Sequence, residues 1–368
     1  MKPQSKIFVA GHKGLVGSAL TRHLRALGYR NIITRSHGDL DLKQQDQVEA
    51  LFSQERPEYV FLAAAKVGGI QANSSYPVDF LLTNLKIQNN VIEACWRHGV
   101  EGLLFLGSSC IYPRSAPQPL KEEYLLTGPL EPTNEPYAIA KIAGIELCEA
   151  FNRQYGTRFL SAMPTNLYGL NDTYDLENSH VLPALIRKFH LAKLAVRGEW
   201  EAIKRDENRY GPIPPDFYSN LLSLPSSSGG SLACSSSLDR SIMLWGTGSP
   251  RREFLYSDDL ADACIFLMQR IDDFFPPTDS PASSIGSSLA SRHLVNIGSG
   301  QDLTIHDLAR QVARTVGYEG SVKWDVSKPD GTPQKLLDVS RLRTLGWEPK
   351  VSLEEGIRAA YEDFLANL

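Results

Sequence analysis

The sequence predicts an α/β protein, a Rossmann-type doubly wound parallel sheet with a smaller C-terminal α+β substrate domain. Three observations carry that expectation. Short apolar runs alternate with amphipathic helical stretches through the first half of the chain. The first strand-to-helix turn reads Gly11-His12-Lys13-Gly14-Leu15-Val16-Gly17, a glycine pattern that lets backbone approach a pyrophosphate on a helix N-terminus. Polar residues able to do chemistry recur just beyond the apolar runs, where ligands of such sheets bind.

Bulk properties set the limits. The chain has 368 residues, a formal net charge of −4 and 42% hydrophobic residues. That is enough for a large single unit or two domains sharing one active site. Nothing points to nucleic acid or to an anionic membrane surface, and no run is long enough to span a bilayer. Cys95, Cys110, Cys148, Cys234 and Cys264 are scattered without metal-ligand spacing. Reduced thiols in a cytoplasmic protein, with no metal and no secretory leader, are therefore expected.

In chain order, Lys6 to Ala10 is the first strand. The helix after the glycine turn places Leu15, Ala19, Leu20, Leu24 and Leu27 inward and stops at Gly28. The second strand, Asn31 to Thr34, runs into Arg35, His37, Asp39 and Asp41. An NAD site usually has an acid at that strand's end for the ribose. Here Arg35 and His37, with Lys13, suit a 2′-phosphate, so NADP(H) is the expected cofactor. Tyr59 to Ala63 is the third strand, Asn84 to His98 a helix, and Gly102 to Leu106 the fourth strand. The fourth strand delivers Gly107, Ser108, Ser109 and Cys110 to the sheet's carboxyl edge.

Next comes a helix running to about Tyr155, with Asn134 as its cap and Pro136 in its first turn. Tyr137 and Lys141 lie one turn apart on one face. An ammonium beside a phenol should lower the phenol's pKa, giving a tyrosine that exchanges protons with a carbonyl oxygen. Ser108 can supply the second hydrogen bond to that oxygen. Phe159 to Met163 is the fifth strand.

The second half has a looser rhythm. Residues 1–165 with about 252–298 are expected to form the NADP-binding domain, and about 166–251 with 299–368 the substrate domain. Two stretches near 192–240 and 276–292 are rich in charge, serine and proline. They are expected to be flexible inserts, because such composition buries little apolar area. Beyond them, Met243 to Gly246 reads as a strand, Ser257 as a helix cap, Thr304 to Asp307 as a capping box, and 352–365 as a final helix.

Ser108, Tyr137 and Lys141 behind this glycine turn resemble the short-chain dehydrogenase/reductase superfamily, extended type. Longer blocks narrow the likeness: 62–70, 105–113, 130–141, 164–169, 178–186 and 327–333. Together they look like the GDP-L-fucose synthase family of epimerase-reductases, over nearly the whole chain apart from the inserts. The resemblance implies a reductase triad of Ser108, Tyr137 and Lys141, with Cys110 and His180 as base and acid for epimerisation. It implies that Gly11 to Gly17, His37 to Leu42, Leu106 to Ser109 and Pro164, Thr165, Asn166 and Leu167 line the cofactor, with Lys141 and His180 also near it. Lys188, Trp245, Arg252 and Asp330 match positions for the nucleotide-sugar. Lys13 and Lys188 stand where the family often has arginine, which keeps charge but loses bidentate phosphate contact. The implied substrate is GDP-4-keto-6-deoxy-D-mannose, and the implied assembly is a homodimer through the Asn84 and Tyr137 helices.

Overall fold

A computed structural model describes residues 1–225, 240–275, 293–328 and 330–368. The chain divides into two compact units, each made of three segments. Unit one is 1–167, 253–301 and 335–351; unit two is 168–252, 302–334 and 352–368.

Unit one is built on a six-stranded sheet. Its first five strands are β1 (Ile7–Ala10), β2 (Ile32–Ile33), β3 (Tyr59–Leu62), β4 (Gly102–Leu106) and β5 (Phe159–Pro164). Leu294–Ile297 is the sixth, and the order across the sheet is β2-β1-β3-β4-β5-sixth. Every adjacent pair is parallel. The helices are α1 (Leu15–Ala26), α2 (Gln45–Glu55), α3 (Ile70–Ser75), α4 (Pro77–Arg97), α5 (Glu135–Tyr155) and a later one, Ser257–Gln269. Side chains of β4 alternate between the two faces as the pleat requires. Leu103 and Phe105 join one core cluster, and Leu104 and Leu106 join the other. Because both faces are covered, the strands read as continuous apolar runs rather than alternating ones.

Two local expectations shift. The Asn84 helix begins earlier, at Pro77, since proline suits a first turn. Ser257 is the first helical residue rather than the cap, which is Tyr256.

The segment 335–351, expected in the substrate domain, packs with unit one instead. Leu337 and Val339 enter one core cluster, and Leu342 and Trp347 the other. Their burial, at about 1.5–3 kcal/mol for each large apolar side chain, decides where the segment belongs.

Unit two contains α6 (Val181–Arg197) and helices Trp200–Tyr210, Pro215–Ser223, Ile305–Val316 and Leu353–Ala366. Strands Ser241–Trp245 and Ser321–Asp325 pair in parallel. Thr304 caps its helix by accepting the Asp307 N–H at 3.0 Å, and Ser352 with Glu355 forms a full capping box. The flexible insert expected near 192–240 is corrected over 192–225, which is mostly helical. Ile203, Phe217 and Leu221 are buried there, and so is Asp206, which pairs with the buried Arg187 at 2.7 Å. The charged run was amphipathic, with its apolar residues and one paired acid turned inward. Residues 226–239 and 276–292 lie outside the described residues, as do Cys234, Pro329 and most of the serine tract. No helix among the described residues is long and apolar enough to cross a membrane.

Candidate active site

The glycine turn is shaped for close approach. Gly11 has φ +87°, and a Cβ there would stand 2.8 Å from Ala64 N; at Gly17 a Cβ would stand 2.1 Å from Gly11 O. Only glycine fits either position. Gly14 sits at the N-cap of α1 without a side-chain cap, so its first N–H groups face the turn. This bare backbone cradle on a twelve-residue helix fits the pyrophosphate of a dinucleotide. Further along the edge, Asn84 accepts the Lys66 N–H at 2.8 Å and donates to the Lys66 carbonyl at 2.9 Å, fixing the stretch after β3. At Gly107 a Cβ would collide with Met163, so β4 and β5 end closely packed. Thr165 and Asn166 both donate to the Glu253 carbonyl, at 3.2 and 2.8 Å. Asp41 accepts the Lys43 N–H at 3.0 Å, and the Leu42 carbonyl accepts from Asn90 at 2.9 Å.

Arg35 departs from expectation. Its guanidinium is ion-paired with Glu55 and donates to the Thr34 carbonyl at 2.9 Å. Glu55 closes α2, and its carbonyl accepts Lys6 Nζ at 2.9 Å just ahead of β1. Burial lowers the pKa of the His12 ring and Lys13 adds to it, while the Arg35 backbone opposes both.

Ser108, Cys110, Tyr137 and Lys141 come together in unit one. Ser108 follows β4 in extended conformation, and Ser109 to Ile111 form a single 3₁₀ turn. Ser108 lies close enough to the Tyr137 hydroxyl and the Cys110 thiol to favour the ionised form of each. Lys141 is 3% exposed. Its Nζ donates to the Leu106 carbonyl at 2.8 Å and lies 5.8 Å from the Tyr137 ring centre and 4.9 Å from that of Phe105. Burial lowers its pKa to about 8, with Cys110 pulling it back up.

The expected lowering of the Tyr137 pKa is corrected. Burial pushes the phenol well up, Cys110 adds to the rise, and only Ser108 opposes it. The reason is geometric, since the ammonium faces the ring and a carbonyl rather than the hydroxyl. Burial also raises the Cys110 thiol, opposed first by Lys335, then by Ser108 and Lys141.

The other expected residues lie in unit two. His180 is the N-cap of α6 and exposed. Lys188, whose pKa burial lowers, lies 5.9 Å from the Trp245 ring centre and 5.4 Å from that of Phe217. Asp330 accepts both the N–H and the hydroxyl of Thr247 at 2.7 Å, so it anchors the turn after Trp245. Arg252 donates to the Arg251 carbonyl at 2.8 Å.

Sequence reasoning missed Phe217 and Lys328, the latter 5.1 Å from the Trp245 ring centre. It also missed Lys335, whose charge opposes the rise of the Cys110 thiol. Phe217 and Leu221 at i, i+4 were the available signal for the first; nothing local marks either lysine.

A model of the NAD dependent epimerase/dehydratase family matches residues 7–206 and 202–279. GDP-L-fucose synthase 1 of Arabidopsis thaliana is 50% identical over 364 residues, 99% of this chain and 94% of that protein. GDP-L-fucose synthase of Escherichia coli is 45% identical, covering 99% of this chain and 98% of that protein. A solved GDP-6-OMe-4-keto-L-xylo-heptose reductase from C. jejuni superimposes with a TM-score of 0.86 at 39% identity, covering 100% of this chain and 99% of that one. With a family model spanning well over half its length and these relatives end to end, the chain belongs to the NAD dependent epimerase/dehydratase family.

Proposed function

We propose that this protein is an NADPH-dependent epimerase-reductase that converts GDP-4-keto-6-deoxy-D-mannose to GDP-L-fucose. The observation that carries the reading is the end-to-end identity with GDP-L-fucose synthases, joined to a cluster in which Cys110 stands with Ser108, Tyr137 and Lys141. Unit one takes the dinucleotide and unit two the nucleotide-sugar. With Arg35 engaged by Glu55, Lys13 and His37 are the cations for the 2′-phosphate.

The C4 ketone acidifies the hydrogens at C3 and C5. Cys110 as thiolate removes each in turn, leaving charge on O4. Ser108 and Tyr137 hydrogen-bond that oxygen, so one set of donors serves both chemistries. His180 returns a proton to the opposite face, inverting the centre, and the proton on Cys110 then passes through solvent to His180 so that both are reset for the second centre. The bound nicotinamide supplies hydride to C4. Tyr137, which carries its proton at neutral pH, then protonates O4. Lys141 holds the tyrosine ring from beneath.

Tyr76, Val78, Leu82 and Ile139 are exposed apolar residues on or beside α4 and α5. They would meet a second copy of the chain in a homodimer, which light scattering tests. A cytoplasmic setting belongs to the same reading.

A second reading has a specific observation behind it. The C. jejuni neighbour is named a reductase alone, and the Cys110 thiol is raised. Solvent deuterium separates the two. An epimerase-reductase takes up label at C3 and C5 while oxidising NADPH one-for-one with substrate; a simple reductase oxidises NADPH without label. In Cys110→Ser, label uptake should fall by orders of magnitude while some reduction to an uninverted 6-deoxy sugar continues. His180→Gln should retain exchange and lose inversion. Normal GDP-L-fucose production by Cys110→Ser would remove Cys110 as the base.

A further inference from the structure

The sixth strand, Leu294–Ile297, sets a fully buried asparagine on an apolar face. By alternation, Asn296 shares the face of Leu294, whose core cluster also holds Tyr112, Leu120, Leu337 and Val339. A branched aliphatic residue would serve a strand best in that setting, so an amide there calls for hydrogen-bond partners. Its Oδ1 accepts the Tyr112 hydroxyl at 2.6 Å. Its Nδ2 donates to the Leu120 carbonyl at 2.9 Å and to the Asp338 carbonyl at 3.2 Å. Both amide hydrogens and the amide oxygen are thus engaged, and a buried network satisfied in this way fixes one arrangement of the groups it joins. The strand lies at the sheet's edge. There the Asn296 N–H donates to Glu122 Oε1 at 3.0 Å, and the Leu294 carbonyl accepts Arg341 Nη1 at 2.7 Å. Asn296 is therefore held by its backbone as well as by its side chain.

Tyr112 is where the Cys110 turn ends. Ser108 leaves β4, the Ser109–Ile111 turn follows, and Tyr112 resumes extended backbone. The sheet fixes the near end of this stretch, since the Gly107 N–H donates to the Ala162 carbonyl at 2.9 Å. Inside it, the Ile111 N–H returns to the Ser108 carbonyl at 3.2 Å. The far end is fixed by the buried Tyr112 hydroxyl, whose partner lies 184 residues away in sequence. Ser108 directly follows the sheet anchor, whereas Cys110 stands nearer the tyrosine. The two ends can therefore be loosened separately.

We propose that Tyr112 and Asn296 are positioning residues for Cys110: their hydrogen bond fixes the far end of the turn that carries the thiol, while the sheet fixes Ser108. What this tie does for catalysis rests on the reading of Cys110 as a base.

The test uses the full chain with Tyr112→Phe, which keeps the ring and removes only the hydroxyl. Without substrate, amide hydrogen–deuterium exchange followed by mass spectrometry should rise roughly tenfold in peptides covering 108–112 and stay unchanged in those covering β4 alone. With NADP+ bound and no reductant, deuterium uptake from solvent at C3 and C5 of GDP-4-keto-6-deoxy-D-mannose should fall by roughly tenfold to a hundredfold, the scale of loss when a reacting group is displaced by about 1 Å. Reverse hydride transfer from GDP-L-fucose to NADP+ uses Ser108, Tyr137 and Lys141 but needs no epimerisation, and its initial rate should stay within about threefold. A merely structural tie would slow both reactions alike. Where Tyr112→Phe does not fold, Asn296→Ser withdraws the acceptor from the other side and should give the same split. Unchanged amide exchange at 108–112 in the variant overturns the tie. Raised amide exchange with wild-type uptake at C3 and C5, or with both reactions slowed alike, overturns the positioning role. A wild type that takes up no label at C3 or C5 sinks the epimerase reading instead, and the substrate-free exchange still decides whether the tie exists.

Discussion

α5 in unit one and α6 in unit two each bury a cation, and they treat it in opposite ways. Lys141 on α5 has a carbonyl at 2.8 Å and two aromatic faces about it, and burial moves its pKa to about 8. Arg187 on α6 is fully buried and fully engaged. It pairs with Asp206 at 2.7 Å and donates to the carbonyls of Tyr174, Tyr210 and Gly211 at 3.1, 3.0 and 2.6 Å. A lysine in a thinly supplied site keeps a proton it can lose near working pH. A guanidinium does not titrate there, so its burial holds the surrounding loops and does no proton chemistry. The difference teaches that partner supply, more than burial, separates a chemical cation from an architectural one.

The largest effect should come from the residue Lys141 supports. Tyr137→Phe should slow reduction by about 10²–10⁴-fold while NADPH affinity, followed by fluorescence, stays within about twofold. Retained turnover would remove the chemistry from α5 and break the contrast.

Arg187→Met should cost about 3–5 kcal/mol in denaturant unfolding, because Asp206 is left as an uncompensated buried charge. Its Oδ2 already lacks a hydrogen-bond partner among the described residues. Lys141→Met should cost far less, since its neighbours lose one hydrogen bond and gain a better-matched apolar group. Equal losses would erase the distinction.

The pH dependence of stability sharpens it further. The folded pKa of Lys141 is depressed from 10.5 to about 8. Between those values the unfolded chain holds a proton that the folded chain has released. Stability relative to Lys141→Met therefore rises with pH through that window, by at most about 3 kcal/mol, and is flat below it. Unfolding curves at several pH values check the sign. A corresponding Arg187→Met comparison should show no such rise.

Trp245→Leu should have the smallest effect. Trp245 is 47% exposed, with Lys188 and Lys328 near its ring. Losing those contacts, worth about 0.5–1 kcal/mol each at exposed sites, should lower folding stability by at most about 1–2 kcal/mol in denaturant unfolding.

Unit one was readable because its chemistry is imposed by backbone. Gly11 and Gly17 have no substitutes, β4 must deliver Ser108 to the carboxyl edge, and one helical turn places Tyr137 over Lys141. What escaped depends on side chains meeting across long stretches of sequence. The run 200–223 has the composition of a solvated loop, and only Arg187, on another helix, reveals that Asp206 points inward. Arg35 looked free for a phosphate until Glu55 took it. The lowered phenol pKa followed from spacing alone, whereas the actual direction is set by desolvation and by where the ammonium finds its hydrogen bond.

The strand order carries a consequence for the chain as it is made. β5 pairs on one side with β4, but its other neighbour, Leu294–Ile297, is encoded about 130 residues later. At about 5–20 residues per second, the ribosome leaves that apolar edge open for roughly 6–26 seconds. Unpaired parallel edges invite wrong partners. A truncated product ending near 275 would keep that edge open permanently. It should collect in inclusion bodies, whereas a chain carried past Trp347, whose segment also fills the core, should begin to stay in solution.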